Sequence, residues 1–193
     1  LDTISVLARN HQLAANARLG TLSRAEIEAN YWTGPGPNRH FEYWSHAASI
    51  LPVSDWPLFE FKRQAFRDRG FRWHDVPKGK LKDLEKRIRE GGAVVSGDVG
   101  GARKENYWWS WSENKVVLEW LLDIGVLACG NRVGWKRQYD LAERVIPVEH
   151  QGSIEPVAAM YELLNRSLAS LGVGTKADIE DVHRIAHRTH QTH

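Results

Sequence analysis

Apolar residues fall close to helical spacing through Val117, Leu118, Leu121, Leu122 and Val126, the period of an amphipathic helix. Ser112 is placed to cap that helix, Glu113 sits at its positive end and Gly125 suits its stop. The pattern then changes. Val126–Cys129 and Arg132–Leu141 read as two short strands, with the turn at Gly130-Asn131 or at Val133-Gly134. Helix, short strand, turn and basic strand is the order of a winged helix-turn-helix, which lays a helix in the DNA major groove and a β-wing on the backbone.

Other stretches fit around this unit. Ser23 and Glu26 form a capping box at the head of a short helix, and residues 33–38 are loop. Phe41–Leu51, aromatic and bounded by Pro52, reads as a strand or strand pair that carries His46. Ser54 is expected to cap a helix with Pro57 in its first turn, Leu58, Phe61 and Ala65 on one face and Gly70 at its end. Leu81, Leu84 and Ile88 mark another helix, closed by Gly91-Gly92. Val94–Val99 is expected to be the short second helix of a helix-turn-helix, with residues 100–106 as its turn. Pro156 opens a helix with Val157, Met160, Leu164, Leu168 and Leu171 on one side and Gly172 at its end. Thr175 and Asp178 resemble a capping box for a last helix carrying Ile179, Val182 and Ile185. The predicted fold class is α+β, mainly α with small antiparallel β wings, arranged as tandem winged helix-turn-helix domains.

Composition changes this picture in a few places. The formal net charge of +2 means that any phosphate footprint must come from local clustering. Cys129 is alone, which excludes an internal disulfide framework and suits a reducing, cytoplasmic compartment. No apolar run approaches the ~20 residues that span a bilayer, so no membrane association is expected. Nine tryptophans point to heavy aromatic packing. The chain opens on Leu1 and closes on His187-Arg-Thr-His-Gln-Thr-His193, so a fragment of a longer protein is expected.

The local clusters are few. Arg132, Lys136 and Arg137 surround Trp135 on the basic strand, a pattern suited to phosphate contact and groove insertion or to a solvated hairpin. Arg103 and Lys104 are placed to touch the backbone as well. The pairs Asp83–Arg87 and Glu85–Arg89 stand four apart, which favours a solvated helix face over a DNA stripe. His46 reads as a buried, hydrogen-bonded histidine or as a contact to a lesion or phosphate. His183 and His187 share a helix face, but Arg184 stands where a zinc motif needs Glu, so no metal site is expected. No glycine-rich phosphate loop is present, and no cofactor is expected.

Four stretches resemble the winged-helix DNA glycosylases of the AlkZ and YcaQ type. Leu1-Asp2-Thr3-Ile4, with Arg9 and Arg18-Leu19-Gly20, resembles the family segment Gln-x-Asp-Thr-(Ile/Leu), Arg, Arg-Leu-Gly. Glu42-Tyr43-Trp44-Ser45-His46-Ala47-Ala48 with Pro52 resembles Glu-Tyr-Trp-x-His-Glu-Ala and Pro. Trp108-Trp109-x-Trp111 with Lys115 and Leu118-Glu119 is a third match, and Arg132 with Tyr139-Asp140-Leu141, Arg144-Val145 and Pro147 a fourth. The resemblance implies tandem winged helices and a small β-barrel in a longer chain. By that alignment residues 1–55 are the end of a first winged helix, 56–147 a second with its leading helix, and 148–193 the start of a third. It also implies activity on double-stranded DNA with alkylation damage, as a nucleoid-associated monomer.

The family's Gln-x-Asp motif maps its Asp onto Asp2, while its Gln would fall before Leu1 and is absent from the chain. Ala47 stands where the family has Glu. By resemblance Arg9, Trp44 and His46 neighbour the active site, and Lys115 joins the wing cations as a DNA contact. The implied chemistry is hydrolysis of an N-glycosyl bond to an N7-alkylated purine. The base already leaves as a cation, so the main needs are a stabilised oxocarbenium-like sugar and a positioned water. One carboxylate, Asp2, suffices for both. The alternative reading is a non-catalytic winged-helix regulator.

Overall fold

The computed structural model describes residues 8–32, 38–70, 76, 78–100 and 112–185. The chain begins with α1 (Asn10–Leu19) and α2 (Arg24–Tyr31), then β1 (His40–Trp44) and β2 (Ala48–Pro52). A 3-10 helix (Val53–Phe59) runs into α3 (Glu60–Arg69), followed by α4 (Lys78–Gly91), β3 (Val94–Val95) and α5 (Glu113–Asp123). The order closes with β4 (Leu127–Val133), β5 (Lys136–Leu141), α6 (Ala142–Val145), α7 (Pro156–Leu171) and α8 (Lys176–Asp181). The fold is α+β. Among the described residues the five strands form one antiparallel sheet in the order β2-β1-β4-β5-β3.

The helix starts follow their capping chemistry. Ser23 Oγ accepts from the Glu26 amide, and the Glu26 carboxylate accepts from the Ser23 amide at 2.8 Å. Ser112 caps α5 through the Lys115 amide, and Thr175 caps α8 through Asp178. Gly125 ends α5 with φ +81°, and a Cβ there would lie 2.3 Å from Arg63 Cδ. Both the turn and the close approach therefore demand glycine.

Two expectations change. Val94–Val99 is not a helix: Val94 and Val95 form β3 against Tyr139 and Gln138 of β5. Two adjacent β-branched residues suit a pleated edge. Asp98 then closes a turn, its carboxylate accepting from the Val95 amide at 3.2 Å. Nor does Ser54 cap an α-helix. It lies inside the 3-10 helix, and α-helical geometry begins only at Glu60, because Pro57 disfavours α geometry in the residue before it. The β4–β5 turn falls at Gly134, with φ +59°, which selects the second of the two turn positions.

The sheet is buried on both faces. On one side Phe41, Tyr43 and Ala128 pack with Trp56, Phe59, Ile146, Ala159 and Leu163. On the other, Leu127 and Cys129 pack with Ile88, Val117, Leu118, Leu121, Leu122 and Tyr139. Successive residues of β4 thus serve opposite layers, as strand alternation requires. The expected segments 1–55, 56–147 and 148–193 all contribute to the first layer, and β1 meets β4 at the pair Glu42–Cys129.

Candidate functional site

Between Phe41 and Tyr43, Glu42 faces the opposite side of β1 and is fully buried. Arg132 donates to it twice, from Nε and Nη2, each at 2.7 Å, and Arg137 Nε donates at 2.6 Å. Arg137 Nη1 also donates to Glu119 at 2.7 Å, and Glu119 accepts from Tyr139 at 2.9 Å and Lys115 at 3.0 Å. The planar guanidinium fork matches such a double acceptor. Burial opposes the Arg137 charge, but the carboxylates of Glu119 and Glu42 outweigh it and raise its pKa. Glu119 suffers the same burial, yet Arg137 and Lys115 hold its carboxyl below the usual range. Two of the cations expected on the wing surface, Arg132 and Arg137, therefore turn inward, with side chains 8% and 13% exposed. Lys136 and Trp135 remain exposed at the tip.

The aromatic stretch of β1 is tied to the end of α5. Trp44 Nε1 donates to an Asp123 carboxylate oxygen at 2.7 Å, and the Tyr43 hydroxyl donates to the Asp123 carbonyl at 2.6 Å. Burial, with a smaller push from Glu119, raises the Asp123 carboxyl to about 7 against the pull of the Trp44 hydrogen bond.

His46 lies in the turn between β1 and β2 and is exposed, so neither the strand placement nor the buried reading holds. Its Nδ1–H donates to the Asp181 carbonyl at 2.9 Å, and Arg184 Nη2 donates to Nε2 at 3.1 Å, an assignment set by this network. Beneath it, Lys62 donates to the carbonyls of Ser45 at 3.0 Å and of His183. The Ser45 hydroxyl pairs with His183 Nδ1 at 2.7 Å. Burial, then the Lys62 charge, depresses His183 to about 4, which keeps it neutral.

Arg9 lies elsewhere, at the β4–β5 wing tip, and is 1% exposed. It donates to the Gly134 carbonyl at 3.4 Å, and Arg132 Nη1 donates to the Trp135 carbonyl at 2.8 Å. The guanidiniums of Arg9 and Arg24 lie over the Trp135 ring, 4.9 and 5.5 Å from its centroid. Beside the ring is a cleft of about 280 Å³, lined by Ala8, Leu13, Leu22, Ile27, Arg24 and Trp135. Burial and Arg132 lower the Arg9 pKa. Of the residues expected around one site, Arg9 joins Trp135, Trp44 joins Asp123, and His46 joins Asp181 and Arg184. These are three separate sets of contacts. Asp2, Arg103 and Lys104 lie outside the described residues. Lys115 is half-buried against Glu119.

Sequence reasoning missed Glu42, Glu119, Asp123 and Lys62. For Glu42 a signal exists: a lone acid between Phe41 and Tyr43 points away from the aromatic face, and the later strands carry two arginines, Arg132 and Arg137.

The chain belongs to the AlkZ-like DNA glycosylase family, whose model, described as DNA glycosylase AlkZ-like, matches residues 1–192. That is a family of DNA-repair hydrolases, and DNA is the substrate it implies. No solved structure matches the chain. Among the described residues no helix is long and apolar enough to cross a membrane.

Proposed function

We propose that this chain is a monofunctional DNA glycosylase that hydrolyses the N-glycosyl bond of N7-alkylated purines and unhooks interstrand crosslinks formed at that position. The observation that carries the reading is that the family match begins at residue 1 and so includes the segment of Asp2. Asp2 is the proposed catalytic carboxylate. It holds the attacking water and stabilises the cationic sugar, while the positively charged leaving base needs little help from an acid. Residues 56–147 act as a winged helix with its leading helix: helix α4, strand β3, helix α5 and the β4–β5 wing come in the order of that motif, with β3 paired to β5. Lys136 and Trp135, with Arg103 and Lys104, are the proposed DNA contacts. Arg132 and Arg137 serve the wing from inside by holding its shape. The protein works as a monomer on the nucleoid in the cytoplasm.

The test is release of N7-methylguanine from alkylated duplex by the full chain. Asp2→Asn is expected to lower the single-turnover rate by 100-fold or more, about the scale of positioned general-base help. An Asp2→Asn variant as active as the parent, or a parent that releases no base, refutes the reading. If the parent instead footprints one palindromic sequence, the protein is a regulator.

A further inference from the structure

We infer that the cleft beside the wing tip is a nucleotide subsite, taking one uncharged nucleobase unstacked from the duplex onto Trp135, with that nucleotide's phosphate on Arg24. The inference rests on the reading of the chain as a DNA-acting protein. Trp135 is 55% exposed, at the tip of a hairpin. A large aromatic there is usually mobile, yet this tip is anchored. Two arginines hold its successive carbonyls, Arg9 on Gly134 and Arg132 on Trp135, and Arg132 is fixed in turn by buried Glu42. The indole is thus a preset platform, not a loose surface side chain. The adjoining cleft of about 280 Å³ falls just short of the ~300 Å³ at which pockets for drug-sized molecules begin. That space suits a single base.

Charge decides which base. Arg9 and Arg24 both lie over the ring; of the acids that act on Arg9, Glu42 is paired with Arg132 and Arg137 and Glu28 is hydrogen-bonded by His11 and Gln12. Among the described residues the buried Arg9 Nη1 has no hydrogen-bond partner. A cationic N7-alkylpurine would be repelled here, whereas an uncharged base that brings its own phosphate is attracted. Arg24, exposed at the start of α2, is free to exchange the ring for that phosphate. The occupant is therefore the undamaged base left without its partner, not the lesion.

The polar side chains of the wall, Gln12 and Asn16, are both tied to the protein. Gln12 already donates to Glu28 and accepts from the Arg9 amide at 3.2 Å. Asn16 donates to the Gln12 carbonyl at 3.0 Å and accepts from the Leu22 amide at 3.0 Å. Each amide keeps a second N–H and a second lone pair, but stacking on Trp135, which every base can supply, carries the binding.

The experiment compares two duplexes with the full chain: one fully paired, the other carrying 5-iododeoxyuridine opposite a tetrahydrofuran abasic analogue. The wild type is expected to prefer the second and, on irradiation, to cross-link to Trp135 in peptide mapping. Trp135→Ala should reduce that preference roughly 5- to 100-fold, the range of one base–aromatic stack, and Trp135→Phe should retain most of it. Ala8→Phe, which fills the cleft and leaves the indole in place, should lose it too. Equal affinity of wild type for the two duplexes, an unchanged preference in Trp135→Ala or Ala8→Phe, or a cross-link outside the cleft overturns the inference. Base release from alkylated duplex is scored on the same preparation. Base release with no preference for the unpaired base sinks the subsite alone. Preference with no release sinks the glycosylase reading alone.

Discussion

Replacing Glu42 by Gln is the most direct probe of what shapes the wing. The amide keeps the size of the carboxylate but removes its charge and half of its acceptor capacity. The one remaining oxygen can serve only part of the three hydrogen bonds that Arg132 and Arg137 donate to Glu42. Both guanidiniums stay largely buried, so water cannot compensate well. Breaking one partner out of a buried ion pair costs roughly 3–5 kcal/mol. For a chain of this size each kcal/mol moves the melting temperature about 2–4 °C, so a fall of roughly 6–20 °C is expected by calorimetry or circular dichroism. The quadruple variant Glu42→Leu, Arg132→Met, Arg137→Met, Glu119→Gln removes the buried charges together, Glu119 included because Arg137 pairs with it too, and should recover most of that loss, since replacement of a whole buried ion cluster is often neutral. A Glu42→Gln protein that melts within 2 °C of the parent would refute the argument.

Two further outcomes are expected. Asp123 holds its proton more tightly folded than unfolded, because burial raises it from the ordinary 3.8 to about 7. Its ionisation therefore lowers stability progressively as pH rises from about 4 to about 7, and the penalty persists above that. Asp123→Asn should match the parent near pH 4 and exceed it above pH 7, by at most about 4 kcal/mol at 1.36 kcal/mol per pH unit; parallel denaturation curves across that range would contradict the assignment. Lys136→Ala should weaken binding to undamaged duplex and reduce the slope of log K against log salt by about 1; an unchanged slope would remove Lys136 from the DNA contacts.

What sequence reasoning reaches depends on distance along the chain. Ser23, Ser112 and Thr175 act within three or four residues, and their helix starts are legible from side-chain chemistry alone. The 41–51 hairpin and the 127–141 hairpin follow from composition and turn residues in the same way. Arg132 is different. Its charge and its aromatic neighbour suggest a phosphate contact, but its partner Glu42 is 90 positions away, and no local pattern joins them. Val94–Val95 fails for the same reason. Its two valines become a strand because β5 offers an edge more than 40 residues later. Of the candidate site, the wing-tip tryptophan is legible, whereas Arg9, expected beside Trp44 and His46, meets the wing instead. The cleft is not legible, since it forms only where α1, α2 and the wing converge.

The meeting of β1 with β4 also sets how the molecule must assemble. Each hairpin can close on its own, because β1–β2 and β4–β5 join neighbouring stretches of chain. The sheet is complete only when residue 42 finds residue 129, and closing so long a loop is an entropic cost that must be met before the shared layers can reward it. Bringing Glu42 into that junction also requires two cations from the second hairpin to arrive with it. Collapse that precedes this ion pairing would strand a bare carboxylate, so the pairing of charges acts as a check on register as the two halves dock.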